Sequence, residues 1–364
     1  MENRAKRIDS TLLFVFIALV FIGFIMIYSS SAVLAYENYN DSAYFLKKQI
    51  LFAIIALFIS IIFFRMPEEK LKKIAPVLLY VSIVFLILIF IPGFSRKIGG
   101  AKRWLKFLFL PPFQPLEFIK LFLVMYLAYI YSNDKLTEKT KIFRTLFIVG
   151  LICFNLFFQP DMGGIIIILL ITISMMIISV HLIKYLILIL PGIIFFVYWL
   201  IKLEPYRVKR LFVFLNPWKD PYGAGFQTIQ SFIGIGSGGI FGVGLTQSQQ
   251  KFLFLPTPHT DYIFSIIGEE FGFLGCFVIV FIFFLICWRG LHISLNINDK
   301  FLKFLSAGIT IMICMQAFIN IGVTVGLLPA KGITLPFLSY GGSSLLVSIT
   351  AASILLSISG KLYD

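Results

Sequence analysis

The sequence predicts an all-α polytopic membrane protein of about ten transmembrane helices, with one long outer loop between helices seven and eight. Three observations carry that expectation. The 364 residues are 59% hydrophobic and 13% charged, with a mean hydropathy of +0.97. A soluble chain of this length could not hide so much apolar surface, so its solvent is a bilayer. The apolar runs also reach the roughly 20 residues that a spanning helix needs.

Spans are read at 11–33, 46–64, 74–92, 115–132, 142–158, 163–180, 183–201, 262–288, 304–326 and 340–359. Before the first, MENRAKRIDS supplies Arg4, Lys6 and Arg7. The run that follows is too long for a signal peptide and has no convincing small-residue cleavage site. It is therefore read as a retained helix with a cytoplasmic basic flank. An even number of spans returns the C-terminal GKLYD to the cytoplasm. The stretch 202–261 is the largest excursion, outside the membrane. Trp218, Phe226, Phe232 and Phe252 recur along it, so it should lie on or dip into the outer face. No segment is polar and long enough for a separate soluble domain, and residues 1–364 read as one membrane domain. Cys153, Cys276, Cys287 and Cys314 lie in apolar segments without metal-ligand spacing and read as core fillers.

The formal net charge is +14, from 31 basic and 17 acidic side chains. On this orientation Lys and Arg divide almost evenly between the two sides, unlike a chain that only obeys the positive-inside bias. The outer cations cluster. GFSRKIGGAKRWLKF carries Arg96, Lys97, Lys102, Arg103 and Lys106, and the long loop carries Lys202, Arg207, Lys209, Arg210, Lys219 and Lys251. Inverting the topology would strand the basic N-terminus and RMPEEKLKK outside. The alternative is a cationic outer surface for a phosphate-bearing substrate or anionic headgroups, with Arg suited to bidentate phosphate contact.

Acids inside apolar spans are costly, so each needs a partner or a task. Glu117 has Lys120 three residues later on the same helix face, which suits an ion pair, structural or functional. Asp161 in QPDMGG opens the sixth helix, where it can cap the N-terminus or contact a substrate or ion. Asp261 in LPTPHTDYIFSIIGEEFG stands correspondingly at the eighth helix. There the helix dipole and a nearby Lys251 would favour the carboxylate. Such a group can cap the helix or take a proton from a substrate hydroxyl. His259 can touch substrate, cap or pack. In a continuous helix, Glu269 and Glu270 lie roughly 12–13 Å deeper. Glu269 is about 80° around from Asp261 and Glu270 is on the opposite face. The three acids cannot share one pocket, so at least one glutamate should pair with another helix, with Gly268 and Gly272 permitting close approach. GIGSGGIFGVG contains a literal G-x-G-x-x-G, but no strand precedes it and no βαβ unit is possible. Its glycines suit tight turns or close approach. SYGGSS, with Ser339 and Ser343, reads as a helix entry that could offer N–H groups to an anion or pack against another helix.

These motifs, in this order over nearly the whole chain, resemble the SEDS family (shape, elongation, division and sporulation). YSSS, FLKKQ, AKRW, FQPLEFIK, QPDMGG, RLFVFLNPWKDPYGAGFQ, SGGIFGVGLTQSQQK and LLPAKGITLPFLSYGGSS carry the likeness with the Asp261 segment. PAKG before LPFLSYGGSS, with Lys331, looks more like the FtsW and SpoVE branches than the RodA branch. The resemblance implies a peptidoglycan glycosyltransferase in the bacterial cytoplasmic membrane that polymerises lipid II at the outer face. It also implies a class B penicillin-binding transpeptidase as partner, among other divisome or elongation proteins. It maps the catalytic Asp onto Asp261 and the remaining motif charges onto Asp161, Glu117 and Lys120. Three departures stand out: Lys48 for the usual Arg, Gly164 for a hydroxyl residue, and Leu116 for a small residue.

The implied chemistry makes Asp261 the general base on a sugar hydroxyl, with inversion and a pyrophosphate leaving group. Lys102, Arg103, Arg207, Arg210 and Lys251 are candidates to stabilise that group, with or without a divalent cation such as Mg or Mn. Lys48, His259, Ser339 and Ser343 complete the expected substrate contacts. No dedicated metal cage is visible, and neither an organic cofactor nor a nucleic-acid partner is expected. The rival readings are a transporter flipping the lipid-linked precursor and a non-catalytic division scaffold.

Overall fold

The computed structural model describes residues 8–98, 101–106, 111–179, 182–202, 208, 212–223, 225–252, 255–256 and 258–362. The helices are α1 (Ser10–Tyr39), α2 (Tyr44–Arg65), α3 (Glu68–Leu88), α4 (Pro115–Ser132), α5 (Glu138–Phe158) and α6 (Met162–Ile178). They continue with α7 (Ile183–Lys202), α8 (Phe226–Ser237), α9 (Ile263–Asn296), α10 (Lys300–Thr324) and α11 (Gly342–Ser359). Among the described residues, eight helices are long and apolar enough to cross a membrane, and α6 and α7 contain the shorter apolar ones. These ten answer to the ten spans read from the sequence. Two run clearly longer than read: α9 reaches Asn296 rather than 288, and α1 runs on to Tyr39 rather than stopping near 33. It ends where Asn40 takes a left-handed conformation and its N–H closes onto the Tyr36 carbonyl.

Polar clasps sort the helix ends into two groups. At one end, Asp9 caps α1 and pairs with Arg289 of α9, while its N–H donates to Ser359 Oγ of α11 (3.0 Å). Lys72 of α3 pairs with Asp299, the cap of α10, and Lys300 pairs with Asp134. Both ends of the described chain therefore lie together. The opposite end gathers the α1–α2 turn, the α5–α6 turn, the segment before α9 and the α10–α11 loop. In the middle, α4 packs against α3, α6, α10 and α11. It is the most enclosed candidate span, 72% buried, whereas α2 and α9 are each 22% buried and line the periphery.

Two features depart from helix. Strands β1 (Ser95–Ile98) and β2 (Ala101–Leu105) pair antiparallel, and Leu105 bridges on to Phe113. The Gly-Gly pair between them in the sequence is a hairpin signal. The long loop holds a short 3-10 turn, Pro217–Lys219, and α8, which packs on α9 and α10. Trp218 and Tyr222 are exposed there.

The glycine-rich stretch after α8 explains a break in α9. Gly272 takes φ +66, which interrupts the helix and frees backbone groups on both sides. In a membrane helix those groups need partners. Residues 239–244 supply them: Val243 and Gly244 donate to the Glu269 and Glu270 carbonyls (3.0 Å each). In return, Phe273 and Leu274 donate to the Gly239 and Ile240 carbonyls (2.8 and 3.2 Å). A Cβ on Gly238 would fall 1.9 Å from the Gly268 carbonyl oxygen. The glycines thus let one backbone dock into another.

Candidate functional site

Asp261 does not sit on α9 but in the turn before it. The capping position is Tyr262, which makes no side-chain cap bond. The simple N-cap reading of Asp261 is therefore set aside. Three successive carbonyls hold this turn. Tyr340 N–H donates to that of His259 (2.8 Å), Ser339 Oγ to that of Thr260 (2.5 Å), and Asn320 Nδ2 to that of Asp261 (2.8 Å). Behind them, the wholly buried Gln49 of α2 donates to the Ser339 carbonyl and accepts from Gly341 N–H. The imidazole of His259 packs against Phe45 and Tyr340, with ring centroids 4.7 and 5.6 Å away. Burial pushes its pKa down to about 4, so it is neutral near pH 7.

The Asp261 carboxylate is pushed the other way, up to about 6. Burial is the cause, opposed by a hydrogen bond from Thr260 and by the charge of Arg103. This corrects the expectation that the helix dipole and Lys251 would hold it low. Desolvation outweighs both, and the cation acting on it comes from the hairpin. A Cβ on Gly332 would lie 2.9 Å from Asp261 Oδ2, so the PAKG backbone passes directly against the carboxylate.

Arg103, on β2, is placed by the end of α5. Its guanidinium donates to the carbonyls of Gln159 and Pro160 and stands 3.8 Å from Asp161 Oδ1. Asp161 in turn caps α6, accepting from Gly164 N–H (3.1 Å). Arg103 is thus an anchored cation serving two carboxylates, Asp161 by proximity and Asp261 by its field.

Beneath this lies a buried polar ladder. Lys120, 2% exposed, donates to Glu117 (2.9 Å) and to Gln316 Oε1 of α10 (2.6 Å). Gln316 Nε2 donates to the Thr334 carbonyl (2.9 Å), and the Thr334 hydroxyl meets Ser344 Oγ of α11 (2.8 Å). Next to it, two departures from the family pattern touch. A Cβ on Gly164 would come 2.5 Å from Leu116 Cδ2. The large Leu116 fills the room that a side chain at 164 would take. Gly164→Ser alone should therefore cost about 1–3 kcal/mol by overpacking, and Leu116→Ala should recover part of it. Thermal unfolding of both single variants and the double checks this, the account predicting a favourable coupling.

The remaining expected residues separate. Ser343 Oγ accepts from Gln114 N–H (3.0 Å), and a Cβ on Gly342 would collide with Phe52 of α2. SYGGSS is here a packing and tethering segment. Lys251 is buried against Glu270 (3.2 Å) and donates to the Thr246 carbonyl, away from Asp261. Glu270 also accepts from Ser29 of α1 (2.6 Å). Glu269 accepts from Ser248 Oγ and from the N–H groups of Gln249 and Gln250. Both glutamates are architectural: Glu270 joins α9 to α1 and to Lys251, and Glu269 ties down residues 248–250. Lys102 is exposed, and Lys48 is exposed with its ammonium over the Tyr44 ring. Arg207 and Arg210 lie outside the described residues. Gln49, Gln316, Asn320 and Gly332 were missed. Gln316, Asn320 and Thr324 recur every four residues in an apolar span, a polar stripe that could have been flagged beside the acids.

The chain is 41% identical to "Probable peptidoglycan glycosyltransferase FtsW" of Trichlorobacter lovleyi, over 99% of this chain and 95% of that protein. It is 40% identical to "Stage V sporulation protein E" of Bacillus subtilis, over 99% of each. Its fold matches a chain solved in work described as "Structural coordination of polymerization and crosslinking by a peptidoglycan synthase complex". That match has a TM-score of 0.80 and 27% identity over 98% of this chain and 99% of the other. The family described as "Cell cycle protein", which groups FtsW, RodA and SpoVE, matches residues 9–363. This multi-pass membrane chain belongs to the FtsW/RodA/SpoVE family.

Proposed function

We propose that the protein is a peptidoglycan glycosyltransferase that polymerises lipid II at the outer face of the cytoplasmic membrane, with both termini in the cytoplasm. The observation that carries this reading is the placement of Asp261. Its partly buried carboxylate has a raised pKa, caps no helix, and lies between the anchored Arg103 and the backbone of Gly332. At neutral pH a group titrating near 6 is mostly ionised yet more basic than an ordinary aspartate, which suits a general base.

Asp261 takes the proton of the 4-hydroxyl of an acceptor GlcNAc. The oxygen then attacks the anomeric carbon of a lipid-linked MurNAc, forming the C–O bond with inversion from α to β. The bond to phosphate breaks, and its electron pair leaves with undecaprenyl pyrophosphate. Pyrophosphate is a good leaving group, so no second carboxylic acid is required. Arg103 and the exposed Lys102 are the described cations from the expected set that can face its growing charge. Among the described residues no three His, Cys, Asp or Glu side chains converge as a metal cage. A divalent ion such as Mg or Mn would therefore be held by the pyrophosphate oxygens of the substrate and by water.

The relatives named FtsW and SpoVE favour a division or sporulation role, and the synthase complex supports a penicillin-binding transpeptidase as partner. The rival, flipping of the lipid-linked precursor, is separated by giving purified lipid II to the protein with its transpeptidase. Glycan chains support polymerase activity; lipid flipping without polymerisation overturns it.

The pH dependence has a definite sign. Ionised Asp261 is the active form, so the rate should fall as pH drops through about 6. Arg103 lowers that pKa, so Arg103→Gln should move the acid limb to higher pH. Rates measured from pH 5 to 8 check this, and a limb that stays put would separate Arg103 from the base.

A further inference from the structure

We propose that Asn320 is a positioning residue for glycosyl transfer, setting the Asp261 turn against the Gly332 backbone. The inference rests on Asp261 being the base and adds what holds it in place. Asn320 is 1% exposed near the C-terminal end of α10. Its Nδ2 divides two donors between two carbonyls: Asp261 at 2.8 Å and Ile333 at 2.6 Å. One amide group therefore ties the peptide of the proposed base to the peptide beside Gly332.

The chemistry fixes the amide orientation. Turned over, Oδ1 would face two carbonyl oxygens, and neither acceptor would have a donor. In the observed orientation Oδ1 is buried without a partner among the described residues. An unpaired buried carbonyl of this kind costs stability. A side chain chosen only to fill space would avoid that cost, so the donor pair is what the position supplies.

The other two clasps on the turn differ in what they join. Ser339 and Tyr340 tie the Thr260 and His259 carbonyls to the entry of α11. Only the Asn320 clasp, among these three, reaches Asp261's own peptide and the 332–333 segment that its carboxylate abuts. Gln316, one turn earlier on α10, holds Thr334 of the same segment and also Lys120. The same face of α10 therefore sets both the position of this loop and its link to the buried ion pair. A carboxylate displaced by about 1 Å can lose about 100-fold in rate even when substrate still binds.

The test measures kcat and KM for lipid II polymerisation from pH 5 to 8, on the purified protein with its transpeptidase partner. Asn320→Leu keeps the volume and removes both donors. Asn320→Ser removes one reach without overfilling the site, and serves if the leucine variant does not fold. Both should lower kcat, by about 100-fold for leucine, with KM changed less than about 3-fold. The freed turn lets water reach Asp261, so the acid limb should also move down from about 6. Asn320→Gln, which retains both N–H groups, should recover part of kcat and shift the limb less. If folded Asn320→Leu or Asn320→Ser kept the wild-type kcat and acid limb, or lost only active fraction with an unchanged limb, the positioning role would be wrong. Asp261→Asn run alongside separates the two ideas. Wild-type polymerisation by that variant removes the base assignment itself, whereas its inactivity with unaffected Asn320 variants removes only the present proposal.

Discussion

Glu117→Ala should destabilise the protein by about 3–5 kcal/mol, because it strands a buried ammonium. Lys120 is 2% exposed, and its charge is balanced by one carboxylate at 2.9 Å. Gln316 supplies a further acceptor but no charge. Removing Glu117 leaves the desolvation of Lys120 in place and takes away the interaction that offsets it. Removing both charges is a different experiment. Glu117→Ala with Lys120→Met leaves no unpaired ion, so the double variant should be more stable than Glu117→Ala alone. Loss of Lys120 also frees Gln316 Oε1, which moderates the recovery. Thermal unfolding in one detergent, with ligand absent, measures this. A double variant no more stable than the single would mean that the pair is not the source of the cost.

That pair was legible in the sequence because Glu and Lys three apart in an apolar run must face the same side. The ten spans were legible for the same kind of reason: length and hydropathy decide them. The angular separation read for Glu269 and Glu270 counted Asp261 as part of the helix, whereas Asp261 lies in the turn before α9 and the helix itself breaks at Gly272. The partners of the two glutamates, residues 248–251 and Ser29, are what assign them. The break itself was not legible, since its backbone partners come from residues 239–244, some thirty positions earlier, and contacts of that range carry no local signature. The environment of Asp261 was misread for a related reason. A helix dipole can be inferred from position, but desolvation depends on what closes over the carboxylate, and that comes from the PAKG segment and the hairpin. Lys251, ten positions before Asp261 in the sequence, was expected beside it; its partner is Glu270. The polar stripe of α10 is visible in the sequence, but its role is not, because the carbonyls that Gln316 and Asn320 reach belong to the 261 turn and the 333–334 segment.

The Leu116–Gly164 contact shows how two departures from a family pattern become one observation. Separately each weakens the transfer of family roles to this region. Together they form one contact between α4 and the first turn of α6, beside Asp161. Asp161 still caps its helix and still faces Arg103.

Asp261→Asn should lose about 10²–10⁴-fold in polymerisation rate, the usual contribution of a positioned general base. The substitution is nearly isosteric and relieves the buried carboxylate of its desolvation, so the fold should be at least as stable as the native one near pH 7. The sign follows from the raised pKa: above about 6 the native protein carries a buried charge that the amide does not. The clasps on the turn donate to backbone carbonyls and are untouched by the change. Activity and stability should therefore part company in this variant, which a residue of purely structural importance would not allow. The decisive measurement is glycan-chain formation from purified lipid II by wild-type and Asp261→Asn protein, each bound to the transpeptidase and matched for folded fraction. The account predicts long chains from the wild type and none above background from the variant; chains from Asp261→Asn at the wild-type rate would contradict it.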